Sequence, residues 1–256
     1  MNLTEKNYFE PESNRAYMSA SQFKAFASCE ASALAELESE TSQKSSDAML
    51  RGSYLDAMVE GTADEFEAEH PELWKKNGEL YAAFASVPDL FERMMRDDFF
   101  KSFLEGDKQT ILTGQIEGVP VKAKLDILHP DRIVDLKTTA SFKRQWEPDA
   151  RLFVSFAEFW SYDIQGAIYQ ELVRQNTGKS LPFYLAAITT EPVPDLAVIH
   201  IPDDSLKFAL DEVKLSIGRY QAIKLGFTEP SRCEKCAYCK QTKKLTGAMD
   251  WLEIGE

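Results

Sequence analysis

The chain has 256 residues, 44% of them hydrophobic, and a formal net charge of −13. That composition supports one large domain with a sizeable core and excludes a chain disordered by composition; no apolar run approaches the roughly 18 residues of a membrane helix. The acidic balance excludes a broadly basic nucleic-acid-binding surface, but not a locally basic site or one that borrows positive charge from metal ions. Met1 to Glu12 is polar and acidic, without the apolar core of a secretion signal, so a soluble cytoplasmic protein with no membrane association is expected.

Ser19 to Leu37 reads as a first helix, capped by Ser19 or Ser21, with Phe23, Phe26, Ala27 and Leu34 on one side. Polar Thr41 to Ser46 reads as a loop, and Asp47 to Glu60 resumes helical spacing through Leu50, Leu55, Met58 and Val59. Gly78 to Leu104 is expected to be mostly helical, interrupted near Pro88. The pattern then becomes β-like. Thr110 to Ile116 and Val119 to Leu128 are joined by the hairpin signal Glu117-Gly118, and Arg132 to Leu136 is a third strand. Phe156 to Arg174 is a strong helix, Leu181 to Thr190 and Leu196 to Ile201 are strands, and Leu206 to Leu225 is a long amphipathic helix before a Cys-rich tail. These elements make a mixed α/β domain. We expect one unit over 1–256: a helical part (1–106), an α/β core (107–228), and a Cys-rich tail (229–256) packing back on the N-terminal helix.

The chemistry concentrates in Lys124-Leu125-Asp126-Ile127-Leu128 and in Val134-Asp135-Leu136-Lys137. Asp135 and Lys137 are two apart on a strand and share a face. If the two strands pair antiparallel across His129–Asp131, Asp126 joins them. Two carboxylates with backbone carbonyls, such as that of Leu136, suit Mg²⁺ or Mn²⁺. A lysine beside them can activate water and stabilise charge on a phosphate. A D-x-K triplet alone is common by chance, so its companions matter. Upstream, Asp56 and Glu60 share a helix face; downstream, Gln165 and Tyr169 do.

Four cysteines remain: Cys29, Cys233, Cys236 and Cys239. Three at two-residue intervals and one early read as a metal site rather than disulfides in a cytoplasmic chain. Both Zn²⁺ and a [4Fe–4S] cluster accept four thiolates.

In order, Ser19 to Phe26, Gly52/Asp56/Glu60, Asp126, Asp135/Lys137 and Gln165/Tyr169 resemble the RecB-type branch of the PD-(D/E)xK nucleases. Within that branch, "VDLKTTAS" followed by a Gln/Tyr helix resembles phage and prophage RecE-like exonucleases. The resemblance implies a restriction-endonuclease-like fold with a mixed central sheet flanked by helices. It implies a Mg²⁺- or Mn²⁺-dependent 5′→3′ exonuclease on linear double-stranded DNA, acting in phage-type recombination. Asp126, Asp135, Lys137, Gln165 and Tyr169 would be its catalytic residues, and Asp56, Asp126, Asp135 and the Leu136 carbonyl its metal ligands. Where the family carries a histidine this chain has Asp56, which we expect to ligate as well. The same resemblance implies an iron–sulfur staple on Cys29, Cys233, Cys236 and Cys239, a homo-oligomeric ring, and a single-strand annealing protein as partner. Lys122, Lys124, Thr138, Thr139, Lys143 and Arg144 are candidate contacts to the DNA backbone. The competing readings are a single-strand-directed or endonucleolytic enzyme, a non-catalytic DNA-binding relative, and a zinc-stapled interaction protein.

Overall fold

The computed structural model describes residues 2–39, 46–148, 150–245, 247–248 and 251. Helices α1 (Pro11–Ala16), α2 (Ala20–Ser28), α3 (Glu30–Glu38), α4 (Asp47–Glu60), α5 (Ala63–Glu69), α6 (Val87–Met95) and α7 (Asp98–Phe103) precede the strands. Then come β1 (Asp107–Ile116), β2 (Val119–His129), β3 (Arg132–Thr139), β4 (Gln145–Glu147) and β5 (Leu152–Val154). After these follow α8 (Phe156–Phe159), α9 (Tyr162–Thr177), β6 (Phe183–Thr189), β7 (Leu196–Ile201), α10 (Asp203–Lys224) and α11 (Ala237–Gln241). Residues 41–45 of the expected loop lie outside the described residues; Ser46 caps α4 by accepting from the Met49 N–H at 3.2 Å.

Five strands form one mixed sheet in the order β1-β2-β3-β6-β7, antiparallel except for the parallel pair β3–β6. Helices cover both faces, because strands with apolar residues on each side must bury both. Phe23 and Phe26 of α2, Ile164 and Ile168 of α9, and Val213 and Ile217 of α10 pack with Leu125 and Ile133 on one face. On the other, Leu55 of α4, Leu90 and Met94 of α6 and Phe100 of α7 pack with Ile127, Val134 and Leu136. None of the described helices is long and apolar enough to cross a membrane.

Three expected helices differ in the structure. The first helix splits at Cys29, whose extended backbone (φ −164°, ψ 108°) ends α2 and starts α3. Ala31 N–H donates there to the Ser231 carbonyl of the tail at 3.0 Å, replacing the helical partner it would otherwise need. The helix expected over 156–174 splits at Ser161, which adopts φ 49° between α8 and α9. Pro88 starts α6 rather than interrupting a longer helix, since a proline in the first turn loses no hydrogen bond.

Candidate active site and cysteine centre

The β2–β3 register aligns Ile127 with Val134 and Leu128 with Ile133, which sets Asp126 opposite Asp135. The ladder stops there. On the other side the β1–β2 ladder skips Gln109, opposite Asp126, and Gln109 takes a left-handed backbone (φ 49°). Asp126 therefore sits at a break in both ladders, and its Oδ2 accepts the Leu136 N–H at 3.0 Å in place of a backbone carbonyl. Non-glycine residues at positive φ are strained and persist only where surroundings hold them; here the Gln109 amide donates to Glu60 of α4.

Asp135, Lys137 and Asp126 converge as the alternation predicts. Lys137 Nζ lies 2.5 Å from Asp135 Oδ2, 4.0 Å from Asp126 Oδ2 and 3.2 Å from the Leu136 carbonyl. Gln165 Nε2 on α9 donates to Asp135 Oδ1 at 2.7 Å and to the Tyr169 hydroxyl at 3.1 Å. That hydroxyl in turn donates to the Lys124 carbonyl at 3.4 Å, tying α9 to β2. Gln165 and Tyr169 thus brace the acids from one helix face, as their four-residue spacing requires.

The electrostatics of the cluster are those of crowded, buried charges. Burial, reinforced by Asp135 and opposed by Lys137, pushes Asp126 well above the usual carboxylate range. On α4, burial pushes Asp56 up to about 7; Lys137 works against that shift, while Asp135 and Glu60 add to it. For Lys137, burial pulls the ammonium down, but Asp135 and Asp126 together overrule it and hold it well above the ordinary lysine value. Burial first, then the two aspartates, raises Tyr169, which stays a hydroxyl donor.

The donor set fits a hard divalent cation. Asp135 Oδ2 is buried and ion-paired to the Lys137 ammonium at 2.5 Å, and a carboxylate oxygen in such a pair keeps a second lone pair for a ligand. With Asp126, Asp56 and the Leu136 carbonyl it offers the oxygen-only surroundings such ions prefer.

A cleft of about 1140 Å³ opens onto this cluster, with Asp56, Glu60, Lys124, Asp126, Gln165 and Tyr169 on its walls. Thr138 and Thr139 continue β3 half-buried, and Lys143 and Arg144 are exposed just beyond it. Lys122 departs from expectation. It borders the cleft but is 0% exposed, and its ammonium is spent on the Tyr8 carbonyl, Ser13 Oγ at 3.1 Å and Asn14 Oδ1 at 2.8 Å. It anchors the segment around α1 and cannot reach a phosphate.

Two residues escaped the sequence reading. Tyr162 presents its ring to two ammonium groups, Lys137 at 5.5 Å and Lys24 at 5.3 Å from the centroid. It lies three residues before Gln165 and seven before Tyr169, a helical stripe that could have revealed it. Lys24 comes from α2 and donates to the Trp160 carbonyl at 3.1 Å. Burial and then Lys137 lower its pKa. Nothing local in the sequence marks Lys24, since its neighbours at the site lie more than a hundred residues away.

The cysteines form a second centre. Cys29, Cys233, Cys236 and Cys239 are the one group of three or more potential Cys, His or carboxylate ligands, among the described residues, gathered within 4.8 Å. Cys29 and Cys239 sulfurs lie 3.6 Å apart and Cys233 and Cys239 3.9 Å, and all four are free thiols. A single ion with about 2.3 Å metal–sulfur bonds gives a tetrahedral edge of about 3.8 Å, so the set fits one four-coordinate ion directly. The Cys236 and Lys235 N–H groups lower the Cys233 thiol to about 6, while burial raises Cys239 to about 11. Beside the tetrad, buried Glu30 accepts from Arg219 at 2.6 and 2.7 Å and from Ser231 N at 2.7 Å, locking α3, α10 and the tail together.

A mixed sheet clasped by helices, with Asp126, Asp135 and Lys137 at a break between two of its strands, defines a PD-(D/E)xK-type arrangement. Residues 19–242 match the PDDEXK-like domain of unknown function (DUF3799), and the chain belongs to that family. Its structure is similar to the 2.19 Å crystal structure of a protein from Eubacterium rectale that is provisionally named an exonuclease. That likeness has a TM-score of 0.92 and 39% identity, and it covers 100% of both chains. No curated protein matches the sequence.

Proposed function

We propose that the protein is a metal-dependent DNA exonuclease that degrades linear double-stranded DNA from 5′ ends. The family, and the likeness to a protein provisionally named an exonuclease, support a nuclease. The observation that carries the reading is the Lys137 ammonium set between Asp135 and Asp126, with Gln165 fixing Asp135 from behind and Asp126 on the wall of a large cleft. Asp126, Asp135, Asp56 and the Leu136 carbonyl would hold Mg²⁺ or Mn²⁺, which when bound polarises the scissile phosphate and stabilises its charge.

The chain's own residues do the rest. Lys137, kept protonated by its two carboxylates, donates a hydrogen bond to the attacking water and offsets charge gathering on the phosphate. Gln165 holds Asp135 in one rotamer, and Tyr169 holds Gln165. Lys124, Thr138, Thr139, Lys143 and Arg144 contact the sugar–phosphate backbone, which gives affinity without sequence preference. In this reading the enzyme works in phage-type recombination in the cytoplasm, as a homo-oligomeric ring that passes single strands to an annealing protein.

For the cysteines we infer a structural metal centre that ties Cys29 to the tail across 210 residues of sequence. The present spacing supports a single zinc ion. The [4Fe–4S] cluster implied by the family resemblance binds each thiolate at a different iron, so it requires the tetrad to open. Metal content and visible absorption after anaerobic purification separate the two.

Digestion of labelled DNA tests the enzymatic reading. Linear duplex labelled at either end, a single strand and a closed circle are incubated with Mg²⁺ or Mn²⁺. Release of nucleotides from the 5′ ends of linear duplex, with the circle intact, is expected. Cutting of the circle makes the enzyme an endonuclease, and no cleavage of any substrate with metals restored removes the nuclease reading.

A further inference from the structure

Between β3, which carries Asp135 and Lys137, and α9, which carries Gln165 and Tyr169, the chain inserts a small β4–β5 hairpin outside the main sheet. Trp146 and Phe153 are directly opposed on it, with ring centroids 5.3 Å apart in an edge-to-face arrangement. Both remain exposed, Trp146 by 50% and Phe153 by 57%. A two-stranded hairpin is marginal by itself, and this cross-strand pair steadies it while its outer ring faces remain open. Further aromatic contacts run from the flanking segments toward the active site. Phe142 packs on Phe156 at 5.6 Å, Phe156 on Tyr162 at 6.1 Å, and the Tyr162 ring faces Lys137 at 5.5 Å. These contacts connect the segments flanking the hairpin with the active-site lysine, while about half of the Trp146 and Phe153 surface stays open to solvent.

We propose that Trp146 and Phe153 form a stacking platform for unpaired bases at the end of a DNA strand entering the active site. The proposal rests on the nuclease reading for the strand's destination, not for the binding itself. Aromatic faces stack on any base; a duplex offers a free face only at its terminal pair, whereas every unpaired base offers one, so a single strand is the better occupant. Charge favours the same occupant. Residues 143–154 carry Lys143, Arg144 and Arg151 against Glu147 and Asp149, an excess of one positive charge in a chain of net −13. Cations beside stacking rings are the combination that single-strand sites use to hold backbone and base together.

The test uses the full-length protein without added divalent ion and a twelve-nucleotide oligothymidylate of about one site's length. Wild type is expected to bind it with quenching of tryptophan fluorescence. Trp146→Ala/Phe153→Ala is expected to lose about tenfold to a hundredfold in affinity for the single strand. Its circular dichroism spectrum and its affinity for blunt duplex should be unchanged, and Trp146→Phe should recover most of the binding. Photo-crosslinking of wild type to an oligonucleotide carrying 5-iodouracil, with the adduct mapped, reads the same contact without a variant; adducts on Trp146 or Phe153 are expected. Equal affinity in the double variant, adducts only elsewhere, or loss of self-association in that variant overturns the platform. Binding at the hairpin by a protein that cleaves nothing removes the nuclease reading and leaves the platform; cleavage with normal single-strand binding in the double variant does the reverse.

Discussion

Gly166 lies next to Gln165 on α9, at the point where that helix presses on β6. A Cβ there would stand 2.4 and 2.8 Å from two ring carbons of Phe183 and 2.9 Å from Leu206 Cδ2. Phe183 is 0% exposed and has nowhere to turn. In an open helix, Gly→Ala gains about 1 kcal/mol. Overpacking a filled core costs about 1–3 kcal/mol. At Gly166 the second effect wins, for a net destabilisation of up to about 2 kcal/mol and a melting point lower by several degrees. The helix relieves the clash by backing away, which lengthens the 2.7 Å contact from Gln165 to Asp135 and slows cleavage by about tenfold. Gly218→Ala is the control, because nothing lies within 4 Å of a Cβ at that position of α10; it should gain stability. Thermal melting and a cleavage time course on both variants decide the matter. If Gly166→Ala melts higher, as Gly218→Ala should, the account of how α9 seats Gln165 is wrong.

Glu30, held down to about 2 from its ordinary 4.5 chiefly by Arg219, contributes stability that is complete above pH 4.5 and lost as pH falls toward 2. The unfolding free energy of wild type in urea titrations should exceed that of Glu30→Gln by about 1–3 kcal/mol at pH 6, and the gap should narrow below pH 4.5; a gap that does not change with pH refutes the linkage. Cys239→Ser, or chelation of the bound metal, should release the tail from α3 and lower the melting temperature, as measured by calorimetry with metal content in parallel. No loss of metal in Cys239→Ser would remove the tetrad as a centre. Lys24→Ala should raise KM more than it lowers kcat and reduce the salt dependence of DNA binding by about one phosphate contact; an unchanged salt slope takes Lys24 out of the site.

The parts of the fold written in local periodicity were legible. Helix α4 begins and ends at the expected Asp47 and Glu60, with Gly61 at φ 80° closing it. The β2–β3 turn delivered Asp126, Asp135 and Lys137 together because side-chain alternation fixes which residues share a face. What failed depended on distant chain. The alternation puts Lys122 and Lys124 on the same side of β2 and cannot foresee that Tyr8, Ser13 and Asn14 close over the first. The breaks at Cys29 and Ser161 follow from a tail 200 residues downstream and from a left-handed residue that helical periodicity does not signal. The β4–β5 hairpin has strands of three residues, too short to show alternation. Lys24 reaches the site only through the packing of α2.

The claim at the centre is that Lys137, set between Asp135 and Asp126, drives phosphodiester hydrolysis. Lys137→Met keeps the length and apolar stem of the side chain and removes the ammonium. Single-turnover digestion of linear duplex DNA by wild type and Lys137→Met, at matched melting temperature and with Mg²⁺ or Mn²⁺ present, is the direct test. A fall in rate of at least about a hundredfold, with DNA still bound, is the predicted result. A rate within a few-fold of wild type would contradict the account.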